Sequence, residues 1–355
     1  MEKTRIAVEA TGGDKGYLEV ARGVEMELER RSDLEIFLTA GKDELRKQGL
    51  LTERGELVEE AIPRGMDKEH IILTEHTFKY HDKNSWNGWR VSRSTSIAKA
   101  VDMHHAREVD AVIALGDTYP TVAYPFDFFD RIGKVRPAIA VDFFGNVLID
   151  AGANSKSDCK PKNYYHFAIM GYVIAKYKLG IKDPVVGVVA NGTEDWKGDS
   201  LAQAALSWLK GLKAKGYNIE DGFFEPTSLR NPQERGFRSG LVLVTNGFLG
   251  NVMLKMGEVS FELSGDLTRA AYQEEPWWSR WLGAIPLSRI KEKVKAKVDY
   301  RSFGAAPLFG YQGNIMVGHG RSDADAVFGA IERTCDYLTY NLNDRLKEEL
   351  ERLKA

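Results

Sequence analysis

Six stretches of this 355-residue chain place glycine and small polar residues at the end of an apolar run. They are Gly12-Gly13-Asp14, Gly116-Asp117-Thr118, Asn191-Gly192-Thr193, Asn246-Gly247-Phe248 with Gly250-Asn251, Gly304-Ala305-Ala306-Pro307, and Gly318-His319-Gly320-Arg321-Ser322. Glycine leaves backbone N–H groups uncovered, and a helix that follows adds the positive end of its dipole. The chemistry of such corners is anion binding, and in open parallel sheets they gather at the carboxyl ends of the strands, where ligands sit. His319 lies between glycines beside Arg321 and Ser322, and Lys197 lies in the turn Glu194-Asp195-Trp196-Lys197-Gly198-Asp199. Either could neutralise a phosphate; a plain surface turn is the competing reading for Lys197. Cys159, in Asp158-Cys159-Lys160-Pro161, has the chemistry of an acyl-carrying nucleophile. A small residue packed beside a turn is the simpler reading. His166 suits core packing, and His104-His105 a solvated helix end.

Other chemistries are excluded by what is missing. There is no G-x-G-x-x-G, no Walker lysine loop and no G-x-S-x-G elbow. No His/Cys/Asp set has zinc spacing, so neither metal nor cofactor is expected. The balance of 49 basic against 51 acidic residues argues against a general nucleic-acid binder. Two cysteines suit a reducing, cytoplasmic compartment. No apolar leader follows Met1, and no run of 18 apolar residues offers a membrane span.

The corners need strands to carry them. Arg5–Ala10, Leu34–Leu38, Ala111–Leu115, Val185–Val189 and Leu241–Val244 are apolar on both faces, as buried parallel strands are. Helical patterns lie between, over Tyr17–Arg30, Thr95–Arg107 and Tyr164–Tyr177. Alternation of this kind predicts an α/β fold, with a mostly parallel sheet and helices on both faces. From about Ala324, Ile331, Cys335, Leu338, Leu342, Leu346, Leu350 and Leu353 form one stripe, which predicts a single long C-terminal helix. Ser322 and Asp325 read as a capping box at its start.

The motifs as a set resemble the acyl-carrier-protein:phosphate acyltransferase (PlsX) family of bacterial phospholipid synthesis. They include Val8-Glu9-Ala10-Thr11-Gly12-Gly13-Asp14, Gly152-Ala153-Asn154 and Asp158-Cys159-Lys160-Pro161 leading into Phe167-Ala168-Ile169-Met170-Gly171. Lys197-Gly198-Asp199, Gly247-Phe248-Leu249-Gly250-Asn251 through Leu254-Lys255, Asp299-Tyr300, Gly304–Leu308 and Gly318–Ser322 complete them, in family order along nearly the whole chain. Glu9 stands where the family usually has Asp, Thr11 where it has Met, and Gly116-Asp117-Thr118-Tyr119 replaces Gly-Asn-Thr-Gly. The chain is therefore similar to the family as a divergent member.

The resemblance implies a fold like that of isocitrate and isopropylmalate dehydrogenases. The expectation is a single two-lobed domain over 1–355, with a helical hairpin-like excursion over 256–298. It implies transfer of a fatty acyl group from an acyl-carrier-protein thioester to inorganic phosphate. Phosphate needs no strong base and a thiolate needs little acid help, so the protein must hold two reactants and stabilise an oxyanion. The expected phosphate-binding residues are Gly12, Gly13, Asp14, Gly116, Asp117, Thr118, Asn154, Gly250, Arg321 and Ser322. Lys197, Asn251 and His319 are the expected catalytic residues, all lining one crevice. Trp277, Trp278 and Trp281 precede a run holding Arg289, Lys291, Lys293, Lys295 and Lys297, which suits an anionic bilayer or an acidic carrier. A homodimer and peripheral contact with the inner membrane face are further implications.

Two rival readings remain. A short-chain enzyme would resemble phosphotransacetylases or the acetyl-phosphate-forming subunit of amino-acid reductases, with Tyr119, Phe126, Phe128 and Phe129 shortening the acyl pocket. A non-catalytic paralogue would bind a carrier or a membrane.

Overall fold

The computed structural model describes residues 3–88, 90–231, 236–276, 278 and 304–354. Trp277, Trp281, the basic run 289–297 and Asp299-Tyr300 lie outside them. Ten strands form one sheet. They are β1 (Thr4–Glu9), β2 (Leu34–Gly41), β3 (Ile71–Thr74), β4 (Ala111–Ala114) and β5 (Ala138–Asp142). There follow β6 (Val147–Ile149), β7 (Val185–Val188), β8 (Leu241–Val244), β9 (Ala305–Phe309) and β10 (Ile315–Gly318). Their order is β3-β2-β1-β4-β10-β9-β5-β6-β8-β7.

The first five strands in that order are mutually parallel. So are β6, β8 and β7. Between the two blocks, β9 runs antiparallel to β10 and to β5, and β5 antiparallel to β6. The blocks therefore point in opposite directions. Twist reconciles this with a shared site. At roughly 20–25° per strand, the six steps from β1 to β8 turn the sheet through roughly 120–150°, which swings the carboxyl ends of the two blocks toward one another.

The longer helices among the described residues are α1 (Tyr17–Arg30), α2 (Ser96–His105), α3 (Pro161–Tyr177), α4 (Ser200–Lys213), α5 (Gly247–Glu274), α6 (Ala324–Tyr340) and α7 (Leu342–Arg352). They cover both faces. In β1, Ile6 and Val8 pack with Tyr17 and Val24 of α1 and Val327 and Ile331 of α6. Ala7, pointing the other way, packs with Ala100 and Met103 of α2. That alternation is the period of a strand buried on both sides.

Four local expectations need correction. The C-terminal stripe is two helices: Asn341 takes a left-handed backbone (φ 49°, ψ 44°) between α6 and α7, while Leu342, Leu346 and Leu350 are still buried. Asn tolerates this conformation because its short polar side chain can bond locally. The cap of α6 is Asp323, which accepts from the Ala326 amide at 3.1 Å; Ser322 instead donates to the His319 carbonyl at 2.6 Å. Gly304–Pro307 is no phosphate turn. Ala305–Phe309 is β9, and a Cβ on Gly304 would lie 2.2 Å from the Ala330 amide nitrogen. Nor is His104 a solvated helix end: its Nδ1 bonds the Val109 carbonyl at 2.9 Å, and its Nε2 accepts from the Asn314 amide at 2.8 Å.

Candidate active site

The carboxyl ends of β1, β4 and β10 meet in one corner of bare backbone. A Cβ on Gly12 would lie 2.7 Å from Gly116 Cα, and one on Gly13 would lie 3.2 Å from the Gly320 carbonyl oxygen. The Asp14 amide donates to that same carbonyl at 2.6 Å. Only residues without side chains let three loops approach so closely. Asp117 is exposed at the corner and is not among the residues that wall the cleft, so water screens the added carboxylate.

Beneath the corner lies a buried polar chain that accounts for two departures from the family pattern. Thr77 Oγ1 donates to Thr11 Oγ1 at 2.7 Å, Thr11 Oγ1 donates to Ser96 Oγ at 3.5 Å, and Ser96 Oγ donates to Glu9 Oε1 at 2.7 Å. The Gly41 amide also donates to Thr11 Oγ1, at 3.0 Å. Glu9 is 2% exposed and its Oε2 makes no hydrogen bond of normal geometry. Burial pushes its carboxyl above the usual range, against Ser96 and the approaching amides of Leu115 and Gly12.

A second corner joins the ends of β6 and β8, and here side chains do the wiring. Asp150 is fully buried. Its Oδ1 accepts from the amides of Ile139, Gly152 and Ala153 at 3.1, 3.1 and 2.9 Å. Its Oδ2 accepts from the Asn154 amide at 2.8 Å and from Asn154 Nδ2 at 2.7 Å. Asn154 Nδ2 also donates to the Pro137 carbonyl, and its Oδ1 accepts from Arg136 Nε. Asn154 is thus spent on holding the turn, which corrects its assignment as a phosphate ligand. Asn246 caps α5: its Oδ1 accepts from the Leu249 amide at 3.0 Å and its Nδ2 donates to the Tyr164 hydroxyl at 3.1 Å. Gly250 lies so near the Asp150 carbonyl that a Cβ would come within 1.9 Å of its oxygen. This close approach seats the first turn of α5 on the corner.

Between the corners runs a cleft of about 290 Å³. Gly116, Thr118, Gly318, His319 and Gly320 line it from one side, and Asn251, Leu254, Lys255, Gly257, Glu258 and Phe261 of α5 from the other. Its remaining wall is largely apolar, from Ile139, Val141, Phe143, Phe144, Ala305, Pro307 and Val317, with Asp142, Lys178 and Arg333 also present. Asn251, Lys255 and Glu258 follow an i, i+4, i+7 pattern, which keeps them on one helix face. Lys255 Nζ lies 3.0 Å from His319 Nε2 and 3.4 Å from Glu258 Oε2, and His319 Nε2 lies 3.7 Å from the same carboxylate. The Arg321 amide donates to His319 Nδ1 at 3.2 Å, which fixes the ring. Burial raises the Glu258 carboxyl, but His319 and Lys255 outweigh it and hold the group below its usual range.

A family profile described as "Fatty acid synthesis protein" matches residues 4–345. The chain belongs to this family. It is 34% identical over 356 residues to a phosphate acyltransferase of Syntrophotalea carbinolica, covering 98% of this chain and 94% of that one. It is 30% identical over 353 residues to a phosphate acyltransferase of Wolinella succinogenes, covering 96% of each. Solved structures share the fold. A EutD phosphotransacetylase from Staphylococcus aureus superposes with a TM-score of 0.50 at 11% identity over 94% of both chains. A phosphotransacetylase from Streptococcus pyogenes superposes with a TM-score of 0.50 at 14% identity over 99% of this chain and 95% of that one.

Of the residues that the fatty acid synthesis family motifs single out, Gly116, Thr118, Asn251 and His319 share the cleft, and Gly12, Gly13 and Asp14 buttress its floor. Gly250 is buried in the first turn of α5, and Ser322 is spent on the His319 carbonyl. Arg321 is exposed in a neighbouring hollow with Lys15 and Glu262. Lys197 is not in the cleft wall. Its loop closes on itself, the Gly198 amide donating to Asn191 Oδ1 at 3.0 Å, and a Lys156–Asp199 ion pair at 2.8 Å ties it to the Asn154 side. Cys159 is 7% exposed and burial pushes its thiol up to about 12, so it packs rather than reacts. Tyr119, Phe126, Phe128 and Phe129 are also outside the cleft wall: Tyr119 stacks with Phe78 and Trp86, and Phe129 with His104. They do not shorten it. Sequence reasoning had Lys255 at the end of a family motif but gave it no role, and missed Glu258. The available signal was their helical spacing from Asn251, hidden because the segment read as a turn.

Proposed function

We propose that this acyltransferase moves an acyl group from an acyl-carrier-protein thioester to inorganic phosphate. A phosphate oxygen attacks the thioester carbonyl carbon, the C–S bond breaks, and the products are acyl phosphate and the carrier's thiol. One observation carries the reading: a single cleft joins a floor of bare amides to a helix face bearing Asn251 and Lys255, with His319 between them. The floor and Lys255 hold the anion. Asn251 and the Lys255–His319 pair face the carbonyl oxygen as it gains charge, where fixed donors are worth most. Glu258 keeps the pair in place. Burial raises the Glu9 carboxyl above its usual range, which favours the neutral form beneath this floor.

Two surface features support the implied partners. Along α5, Phe248, Val252, Met256, Val259, Leu263 and Leu267 are all 44–66% exposed and recur at helical spacing. A contiguous apolar stripe of this kind marks an interface, and a second copy of the chain is the occupant we assign to it. Trp278, 55% exposed beyond the end of α5, suits contact with a membrane surface or the carrier. Among the described residues no helix is long and apolar enough to cross a membrane.

The deciding experiment is phosphate-dependent thiol release from acyl-carrier-protein and coenzyme A thioesters. Release that saturates with phosphate is expected; no release from any thioester at any phosphate concentration overturns the function. Sedimentation of Val259→Glu/Leu263→Glu should show a monomer where wild type is a dimer.

A further inference from the structure

The loop between β3 and α2 gathers aromatic rings and positive charge beside the first corner. From Thr77 to Ser94 it interleaves Phe78, Tyr80 and Trp86 with Lys79, Lys83, Arg90 and Arg93, against one acidic residue, Asp82. The whole chain has a net charge of −2, so this local excess does not follow from composition. The start of the loop is tied beneath the corner: Thr77 Oγ1 donates to Thr11 Oγ1 at 2.7 Å, and the Thr77 amide donates to Asp43 Oδ1 at 2.8 Å. A short antiparallel pair, Trp86–Asn87 with Arg90–Val91, and a bond from Trp86 Nε1 to the Tyr80 carbonyl at 2.9 Å hold the rest.

Tyr119 joins this group from the corner itself. It follows Thr118, which lines the cleft, and stands where the family pattern has glycine. Its ring centroid lies 6.5 Å from Phe78 at 29°, 6.1 Å from Tyr80 at 89° and 5.5 Å from Trp86 at 49°. Phe78 is buried and anchors the set, whereas Tyr119 and Tyr80 remain 47% and 58% exposed. Lys79 and Arg90 reach Glu44 and Asp127 at 3.9 and 3.3 Å, and Arg93 lies 5.2 Å from the centre of the Phe128 ring. Lys83 is exposed and makes no ion pair among the described residues.

A ligand that is both planar and anionic uses all of these groups. Aromatic faces stack on a base whatever its identity, and lysine and arginine neutralise phosphate. A hydrocarbon gains nothing from the cations, and inorganic phosphate gains nothing from the rings. A folded acidic partner needs a face of about 800 Å² on each side, more than two half-exposed tyrosines present. We propose that this patch is a nucleotide subsite for the adenine and phosphates of coenzyme A. Acyl-coenzyme A then serves as a donor alongside the carrier-protein thioester, its arm passing Thr118 into the cleft. The inference rests on the acyl-transfer reading and adds to it a class of donor.

The test compares kcat/KM for octanoyl-coenzyme A and for octanoyl-pantetheine, which lacks the nucleotide, in wild type, Tyr119→Gly and Tyr80→Ala. Wild type is expected to prefer the coenzyme A thioester by about tenfold or more. Each variant should lower that preference about fivefold or more, equivalent to about 1 kcal/mol, with the pantetheine rate unchanged. Lys83→Glu should lower it as well, most at low salt. Desulfo-coenzyme A, which cannot react, should bind wild type more tightly than Tyr119→Gly by the same factor in titration calorimetry. An active wild type without the preference, or a preference that neither tyrosine variant moves, overturns the nucleotide subsite and leaves acyl transfer standing. An equal loss on the octanoyl carrier-protein thioester, which has no base, assigns the patch to carrier docking and overturns the subsite too. A wild type silent toward every thioester removes the acyl-transfer reading, and the calorimetry then decides the subsite by itself.

Discussion

The two corners that flank the cleft solve the same problem with opposite materials. At Gly12, Gly116 and Gly320 the chain removes side chains and brings three loops together through backbone. At Asp150, Asn154 and Asn246 it inserts buried side chains and satisfies nearly every polar atom internally. The first corner leaves bare backbone beside the cleft; the second presents a helix. The difference teaches that a glycine-rich motif at a strand end is not evidence of ligand contact until the partners of its polar neighbours are counted. Asn154 looks like a ligand in sequence and is wholly used as a brace.

The contrast can be broken most directly at Asp150. Asp150→Ala leaves four backbone amides, those of Ile139, Gly152, Ala153 and Asn154, without this acceptor in the interior. It is expected to cost on the order of 3–5 kcal/mol in urea denaturation and to abolish turnover by unseating α5. A loss below about 1 kcal/mol would mean that the second corner does not depend on this carboxylate. Next comes the helix face. Lys255→Ala and Asn251→Ala are each expected to lower kcat for phosphate-dependent thiol release about 100-fold with the melting temperature nearly unchanged; wild-type rates would remove these roles. Lys197→Ala should change kcat less than about threefold, because Lys197 is not among the residues that wall the cleft and water screens an exposed charge.

The first corner answers to smaller changes. A Cβ on Gly116 would lie 2.9 Å from Gly12 Cα. Gly116→Ala should therefore separate the two loops, raise KM for phosphate roughly tenfold and cost about 1–3 kcal/mol of stability. An unchanged phosphate KM would show that this floor does not hold the anion. The mildest test is of Glu9. Its native carboxyl titrates above the ordinary value of 4.5 because it is buried. The folded state then binds the proton more tightly than the unfolded state, so its cost is absent below that value and grows as pH rises through the native one. Glu9→Gln does not titrate, and its stability relative to wild type is expected to improve as pH rises above 4.5 in denaturant titrations. A difference that is flat with pH would show that Glu9 carries its charge without penalty.

Much of the architecture was legible because burial writes itself into composition. Strands covered on both faces must be apolar throughout, so β1, β4, β7 and β8 stand out, and α1 is framed by Gly16 and the extended Arg31. β9 and β10 did not stand out. β9 opens with two alanines and carries Pro307, residues depleted in strands, and only its pairing to β5 and β10 makes it a strand. The break at Asn341 was hidden because the apolar stripe continues through it.

The sequence by itself determined an α/β sheet protein with amide-lined corners at its strand ends, because glycine placement and two-sided burial are local properties of the chain. Which corners share a ligand was decided only by tertiary structure. The reversal of direction at β9 and the accumulated twist of the sheet bring the start of α5 opposite β10, and so place Lys255 against His319, 64 positions apart in the chain. Lys197, carried by the loop after β7 at the edge of the sheet, is left outside. No spacing along the chain encodes that choice, since it depends on angles summed over strands that are distant in sequence.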